Sequence, residues 1–218
     1  MASARKRIAK INLDSQDRPT RALPEDKMKT VILLAGYTTD SDGKHGSIGA
    51  GKTTIARALA NHSRYVESCE IKSFAGLLRT QIKISWSHID FDTVKTSGKI
   101  VGEFGYRDLA ESVSNGFKAI DPDIYPRYVC TTMSEDGLTI IDDCRTEQEF
   151  LFTRQFCAIN RIKLIPIMLY RTVKDPVRIS DMEQSIHSSA NCFYLVNNDE
   201  PIDDVVRQIN IARMRIGS

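Results

Sequence analysis

Nine residues of this chain have the types and spacing to bind a phosphate chain: Gly46-Ser47-Ile48-Gly49-Ala50-Gly51-Lys52-Thr53-Thr54. They fit G-x-x-x-x-G-K-[ST], the pattern of a phosphate-binding loop. Glycines let the backbone curl in conformations that other side chains oppose. The loop's N–H groups can then converge on an anion, helped by the N-terminus of the next helix. In such a loop Lys52 reaches the β- and γ-phosphates of a nucleotide, and Thr53 offers its hydroxyl to Mg²⁺. A second chemical signal lies farther on. The apolar run Leu138-Thr139-Ile140-Ile141 ends in Asp142-Asp143, then Cys144-Arg145. A strand ending in an acid supplies the carboxylate that holds Mg²⁺ or its waters. A glycine-rich turn alone would mean little, and an acid after an apolar run less. Together, and in this order, they describe a nucleotide site.

Such a site needs a strand before the loop and a helix after it. Val31-Ile32-Leu33-Leu34-Ala35 reads as a buried parallel strand, and Thr54 to Ala60 as a helix ending near Asn61-His62-Ser63. Between strand and loop lies a polar stretch from Tyr37 to His45. It is expected to project from the strand's carboxyl edge, as a passive excursion in preference to a flap over the nucleotide. Further strands are expected at Tyr65–Ile71, Leu138–Ile141, Ile162–Tyr170 and Cys192–Val196. Pro166 lacks a donor and suggests an edge or a bulge. Helices are expected from Phe74, over Glu147–Asn160 with Phe150, Leu151 and Phe156 inward, and after Pro201. Strands alternating with helices predict an α/β three-layer sandwich: a central, mostly parallel five-stranded sheet covered on both faces. The irregular residues from Trp86 to Pro126 suit an acceptor site inserted between strands.

Composition bounds the rest. The 218 residues, 41% hydrophobic and 27% charged, suit one globular α/β domain, 30–218. Residues 1–29 read as a basic flexible arm. The arm offers a nucleic-acid contact, but solvated charge is the commoner explanation, and a net charge of +2 gives no bulk pull toward nucleic acid or membrane. No apolar run approaches a membrane span, and the expected location is cytoplasmic. Cys69, Cys130, Cys144, Cys157 and Cys192 show no paired spacing and read as reduced thiols. The four histidines show no metal spacing.

From about Thr30 to Ile209 the chain resembles the deoxynucleoside monophosphate kinases of bacteriophages, within the P-loop nucleoside and nucleotide kinases. The residues that carry the resemblance are the phosphate loop and Ile140-Ile141-Asp142-Asp143-Cys144-Arg145, similar to the family's acid-x-arginine signature. Ser73-Phe74-Ala75, Arg107-Asp108-Leu109, Asp121-Pro122-Asp123 and Val196-Asn197-Asn198 also resemble family segments.

The resemblance implies transfer of the γ-phosphate of ATP, with Mg²⁺, to a deoxynucleoside 5′-monophosphate in the bacterial host's cytoplasm. It implies an acceptor region over about 74–127 and a lid over about 171–190. Gly46 through Thr54 would hold the donor, with Arg171 from the lid, and Thr53 with Asp143 would hold the metal. Lys52, Asp143, Arg145 and Arg178 would act in catalysis. Phe74, Arg79, Arg107, Lys118 and Arg145 would meet the acceptor, with Arg145 the first choice for a phosphate contact because a guanidinium fork suits phosphate oxygens. A homodimer stays open. So do two other functions: a kinase of a hydroxyl on a nucleoside or on a modified base in DNA, with Glu67, Glu70 or Asp143 as general base, and an ATP-binding regulator.

Overall fold

The computed structural model describes residues 29–41, 45–46, 49–62, 68–87, 105–174, 186 and 189–215. Its core is five parallel strands in the order β3 (Cys69–Lys72), β4 (Leu138–Cys144), β1 (Thr30–Thr39), β5 (Lys163–Thr172) and β6 (Tyr194–Asn197). Because β1 sits centrally between β4 and β5, both of its faces are covered, so its sequence is apolar without alternation.

Alternate residues of each strand serve opposite layers. Ile32, Leu34, Ile140, Ile165 and Ile167 pack against α1 (Lys52–His62) and α6 (Ile202–Arg215), through Ile55, Leu59, Val205 and Ile209. Val31, Leu33, Ile141 and Met168 face the other way, toward Phe74 of α2 (Phe74–Ser85), Val129 of α4 (Ile124–Thr132) and Phe150 of α5 (Glu147–Ile159). Helix α3 (Tyr106–Ile120) precedes α4, and Asp121 and Asp123 flank the turn between them. The architecture is the α/β sandwich with helices on both faces that the sequence predicts.

Several details depart from expectation. β1 does not stop near Gly36. It stays in register with β5 as far as Thr39↔Thr172, beyond its pairing with β4, which ends at Ala35↔Cys144. The chain then returns through β2 (His45–Gly46), antiparallel to Thr38 and Thr39, before entering the phosphate loop. Much of the expected polar excursion is therefore a sheet extension, braced by Tyr37 stacked on Tyr170 at 6.0 Å. Pro166 lies at no break in the β1–β5 register; on its other side β5 is a local edge, as the missing donor suggests. The Lys163 N–H donates to Lys29, toward β1, so Pro166 faces the opposite side. There β6 begins only at Ile167↔Tyr194, and no ladder bond is lost. Leu151, expected inward, is 47% exposed. Burial pushes the thiols of Cys130 and Cys157 up to about 11 and about 12, which keeps them inert.

Candidate active site

The phosphate loop closes on its following helix through the Ile55 N–H, which donates to the Gly51 carbonyl at 3.0 Å. Gly49 and Gly51 have φ of +89° and +81°, a region that other residues enter only at a cost. At Gly51 the need is doubled. A Cβ there would overlap the side-chain amide of Asn198, which donates to the Ala50 carbonyl at 2.6 Å. Asn198, at the end of β6, thus fastens the loop from a strand far along the chain. Arg171, at the end of β5, adds a second tie: its guanidinium donates to the Gly49 carbonyl at 3.3 Å. Gly51→Ala is expected to lose about 1–3 kcal/mol of stability from the forced backbone alone. Thermal denaturation reads this as a fall of about 2–4 °C per kcal/mol. An unchanged midpoint would mean that the loop relaxes freely.

Across from the loop, the Thr53 hydroxyl donates to Asp142 Oδ2 at 2.8 Å. The sequence pairs Thr53 with Asp143, with Asp142 the competing acid; the structure places Asp142 there. Strand alternation is the reason. Asp142 follows Ile140 onto the face covered by α1, whereas Asp143 follows Ile141 onto the face covered by α2. Asp142 is 8% exposed. Burial, foremost, pushes its pKa up; the Thr53 hydroxyl pulls it down, Asp143 pushes it up further, and Arg79 and Lys52 pull it down. A cation beside it would oppose the upward push. The protein oxygens here, a hydroxyl and a carboxylate, are hard donors that suit Mg²⁺, which keeps several waters and takes phosphate oxygens for the rest. No group of three potential metal-binding side chains occurs among the described residues, so the pair is not a closed protein cage. Thr53 and Asp142 are the residues that would hold the ion. Asp142→Asn should weaken the reaction by about 10- to 100-fold with partial rescue by excess Mg²⁺. A Mg²⁺ titration of initial rates checks this, and a normal Mg²⁺ dependence would remove Asp142 from the metal site.

Asp143 is engaged elsewhere. It accepts from Ser73 Oγ at 2.6 Å, the Phe74 N–H at 2.7 Å and the Ala75 N–H at 3.0 Å. These are the first groups of α2, whose N-terminal anion site is thereby filled from within the chain. That helix start is therefore not free to take another anion. Glu149 is a third buried acid, its pKa raised first by burial and then by Asp143. Its Oε2 accepts from the Arg145 N–H at 2.9 Å and the Thr146 N–H at 3.2 Å, half of a capping box that starts α5. Arg145 is half-buried and stands immediately after β4, on the carboxyl edge where the loop lies.

The remaining candidates divide. The charges of Arg79 and Lys52 both pull the Asp142 carboxyl down. Lys118 lies 5.8 Å from the Tyr125 ring centroid and pulls the Glu149 carboxyl down. Phe74, expected against the acceptor, is 2% exposed in the core, with no open ring face for a base. Thr54 is exposed on the first turn of α1. Ser47, Ile48, Arg178 and the side chain of Arg107 lie outside the described residues, as do Glu67 and much of the expected lid. Glu70 is held by the Ser134 N–H at 2.7 Å and the Thr139 hydroxyl at 2.8 Å, with Lys72 at 3.2 Å. Burial raises its pKa, but these partners outweigh it and the net shift is downward. Sequence reasoning had no part for Asn198 beyond its resemblance to a strand-ending pair. The signal available was an amide directly after the last strand, on the edge where the loop must sit.

No family model matches the chain, and no curated protein matches it. Among solved structures it is similar to the Mycobacterium tuberculosis APS kinase CysC, in a mutant form. That match has 12% identity and a TM-score of 0.40 over 86% of this chain and 98% of that one. The same enzyme in complex with AMPPNP and APS matches at 11% identity and a TM-score of 0.38, over 86% and 98% of the two chains. A hexameric APS kinase from Thiobacillus denitrificans matches at 16% identity and a TM-score of 0.37, over 89% of this chain but 30% of that one. Likeness at this level concerns the fold alone.

Proposed function

We propose that this protein is an ATP-dependent kinase whose acceptor is a deoxynucleoside 5′-monophosphate. The observation that carries the phosphoryl-transfer part is the 2.8 Å contact between Thr53 and Asp142. It joins the helix start behind the phosphate loop to a buried acid at the neighbouring strand end. In this reading the loop backbone and Lys52 hold the donor phosphates, and Arg171 braces the loop at Gly49. A bound Mg²⁺ would neutralise charge on the phosphate oxygens, and Thr53 and Asp142 would hold it.

The acceptor part rests on the resemblance and on charge chemistry. A monophosphate is already an anionic nucleophile, so its phosphorylation needs positioning and charge neutralisation and no general base. Glu70 and Asp143, two of the three acids considered as bases for a hydroxyl acceptor, are taken up by hydrogen bonds. Both are poorly placed for proton abstraction, which favours the anionic acceptor. Arg145 and Arg79 would grip the acceptor phosphate; Arg107, Lys118 and Arg178 stay as secondary candidates.

The test incubates the protein with ATP and Mg²⁺ and, separately, each deoxynucleoside monophosphate, each nucleoside and DNA, reading products by mass. A deoxynucleoside diphosphate is expected. Phosphate on a nucleoside or DNA hydroxyl would replace the acceptor, and ATP turnover without any phosphorylated acceptor would make the protein a regulator.

A further inference from the structure

Asp142 and Asp143 are consecutive, yet their side chains serve opposite layers of the sheet. Asp142 meets the helix start behind the phosphate loop. Asp143 spends both its oxygens on the first residues of α2, with three bonds between 2.6 and 3.0 Å. A serine stands at the N-cap of that helix and could have capped it locally. Ser73 makes no cap bond to its own helix; its hydroxyl turns to Asp143 instead. The cap is supplied from 70 residues away, by an acid that is 6% exposed. Such burial is tolerated because every bond comes from an N–H or O–H donor and the helix dipole adds its positive end. What a local cap could not do is tie α2 to the strand end that carries the cation-site acid. Arg79 lies one turn beyond Ala75, on the same side of α2, and its charge is felt at Asp142.

We propose that Asp143 is a positioning residue: by gripping the start of α2 it sets where Arg79 stands relative to Asp142 and the acceptor phosphate. This rests on the kinase reading, but gives Asp143 no contact with nucleotide or metal. One strand end thereby fixes the donor side through one carboxylate and the acceptor side through the next. A shift of α2 of about 1 Å would misplace the guanidinium enough to matter, since misplacements of that size can cost about 100-fold in rate.

The experiment is a double-variant cycle on Asp143→Ala and Arg79→Ala, with steady-state kinetics in both substrates. Asp143→Ala is expected to lower kcat/KM for the acceptor by about 10- to 100-fold. KM for ATP and the Mg²⁺ requirement should stay near wild type, in contrast to Asp142→Asn. The double variant should be no worse than Arg79→Ala alone, because both changes remove one function. Additive losses, or a shift in the Mg²⁺ requirement, would overturn the proposal. If Asp143→Ala fails to fold, Asp143→Asn and Ser73→Ala take its place, with smaller losses in the same parameter. Amide exchange supplies a readout independent of turnover. Exchange at Phe74 and Ala75 should accelerate in the Asp143 variants and not in Asp142→Asn; unchanged protection there would also overturn it. A wild-type protein inactive on every monophosphate would strike the acceptor reading instead, and the cycle is then read on the acceptor it does phosphorylate, with amide exchange deciding if there is none.

Discussion

Lys52→Ala is expected to reduce phosphoryl transfer to background while the protein stays folded. Lys52 opens α1 directly after the positive-φ Gly51, where a side chain can reach back over the loop it follows. Its ammonium has two tasks there. In the kinase reading it would neutralise charge on the transferring phosphoryl group. It also helps keep Asp142 ionised, because its field opposes the upward push of burial on that carboxyl. On that reading, removing it would weaken the proposed cation site along with the donor site. The core beneath is built from Ile55, Ala56 and Leu59, which the substitution leaves in place. The thermal midpoint without ligand should stay near wild type. Initial rates with ATP and the accepted substrate, beside a denaturation curve, check both halves. A wild-type rate would remove the phosphate-loop assignment.

Arg145→Lys should fail nearly as badly as Arg145→Ala, by about 10³-fold in turnover, the scale seen when a transition-state arginine is lost. An ammonium keeps the charge but not the planar two-pronged geometry that matches phosphate oxygens. The alternative is a helix-surface pair with Glu149, which would be worth about 0.3–0.5 kcal/mol. Glu149 is 7% exposed, and its Oε2 already takes two backbone N–H groups at the start of α5. Its carboxylate is a helix cap before it is anything else. Varied-acceptor kinetics and a separate ATP-binding titration distinguish the two roles. Near-normal turnover in Arg145→Ala would end the assignment, whereas ATP affinity should move little.

Local pattern carried the sequence reading as far as local pattern reaches. The loop from Gly46 to Thr54 was legible because its glycines, lysine and threonine answer a backbone requirement within nine residues. β1 and β4 were legible because strands buried on both faces carry unbroken apolar runs, Val31–Ala35 in β1 and Ile140-Ile141 just before the two acids in β4. The choice between Asp142 and Asp143 was not legible from the strand alone. It depends on which face of β4 receives α1, and that is settled by packing between elements distant in sequence. Phe74 carries a similar ambiguity: an aromatic after a strand can face a ligand or, more often, the core, and only α4 and α5 closing over it decide for the core. β2 has two residues, too few to give a periodic signal. Asn198 is marked in the sequence only as part of a strand-ending asparagine pair; its tie to the loop exists because the chain after β6 comes to lie beside Ala50.

That last link bears on how the protein is made. Asn198 and the loop it fastens are separated by 148 residues. At roughly 5–20 residues per second of synthesis, the loop waits roughly 7–30 s on the ribosome for the amide that ties it down. β1 likewise waits for its partners on either side, β4 until Cys144 and β5 until Thr172 have been made. Among the described strands β1, buried along most of its length, is the first to emerge, and it is flanked on both sides only once β5 has been made. Until β4 and β5 follow, the apolar face of β1 is open to association with other chains, and the phosphate loop gains its tie to Asn198 only when almost the whole domain has been translated.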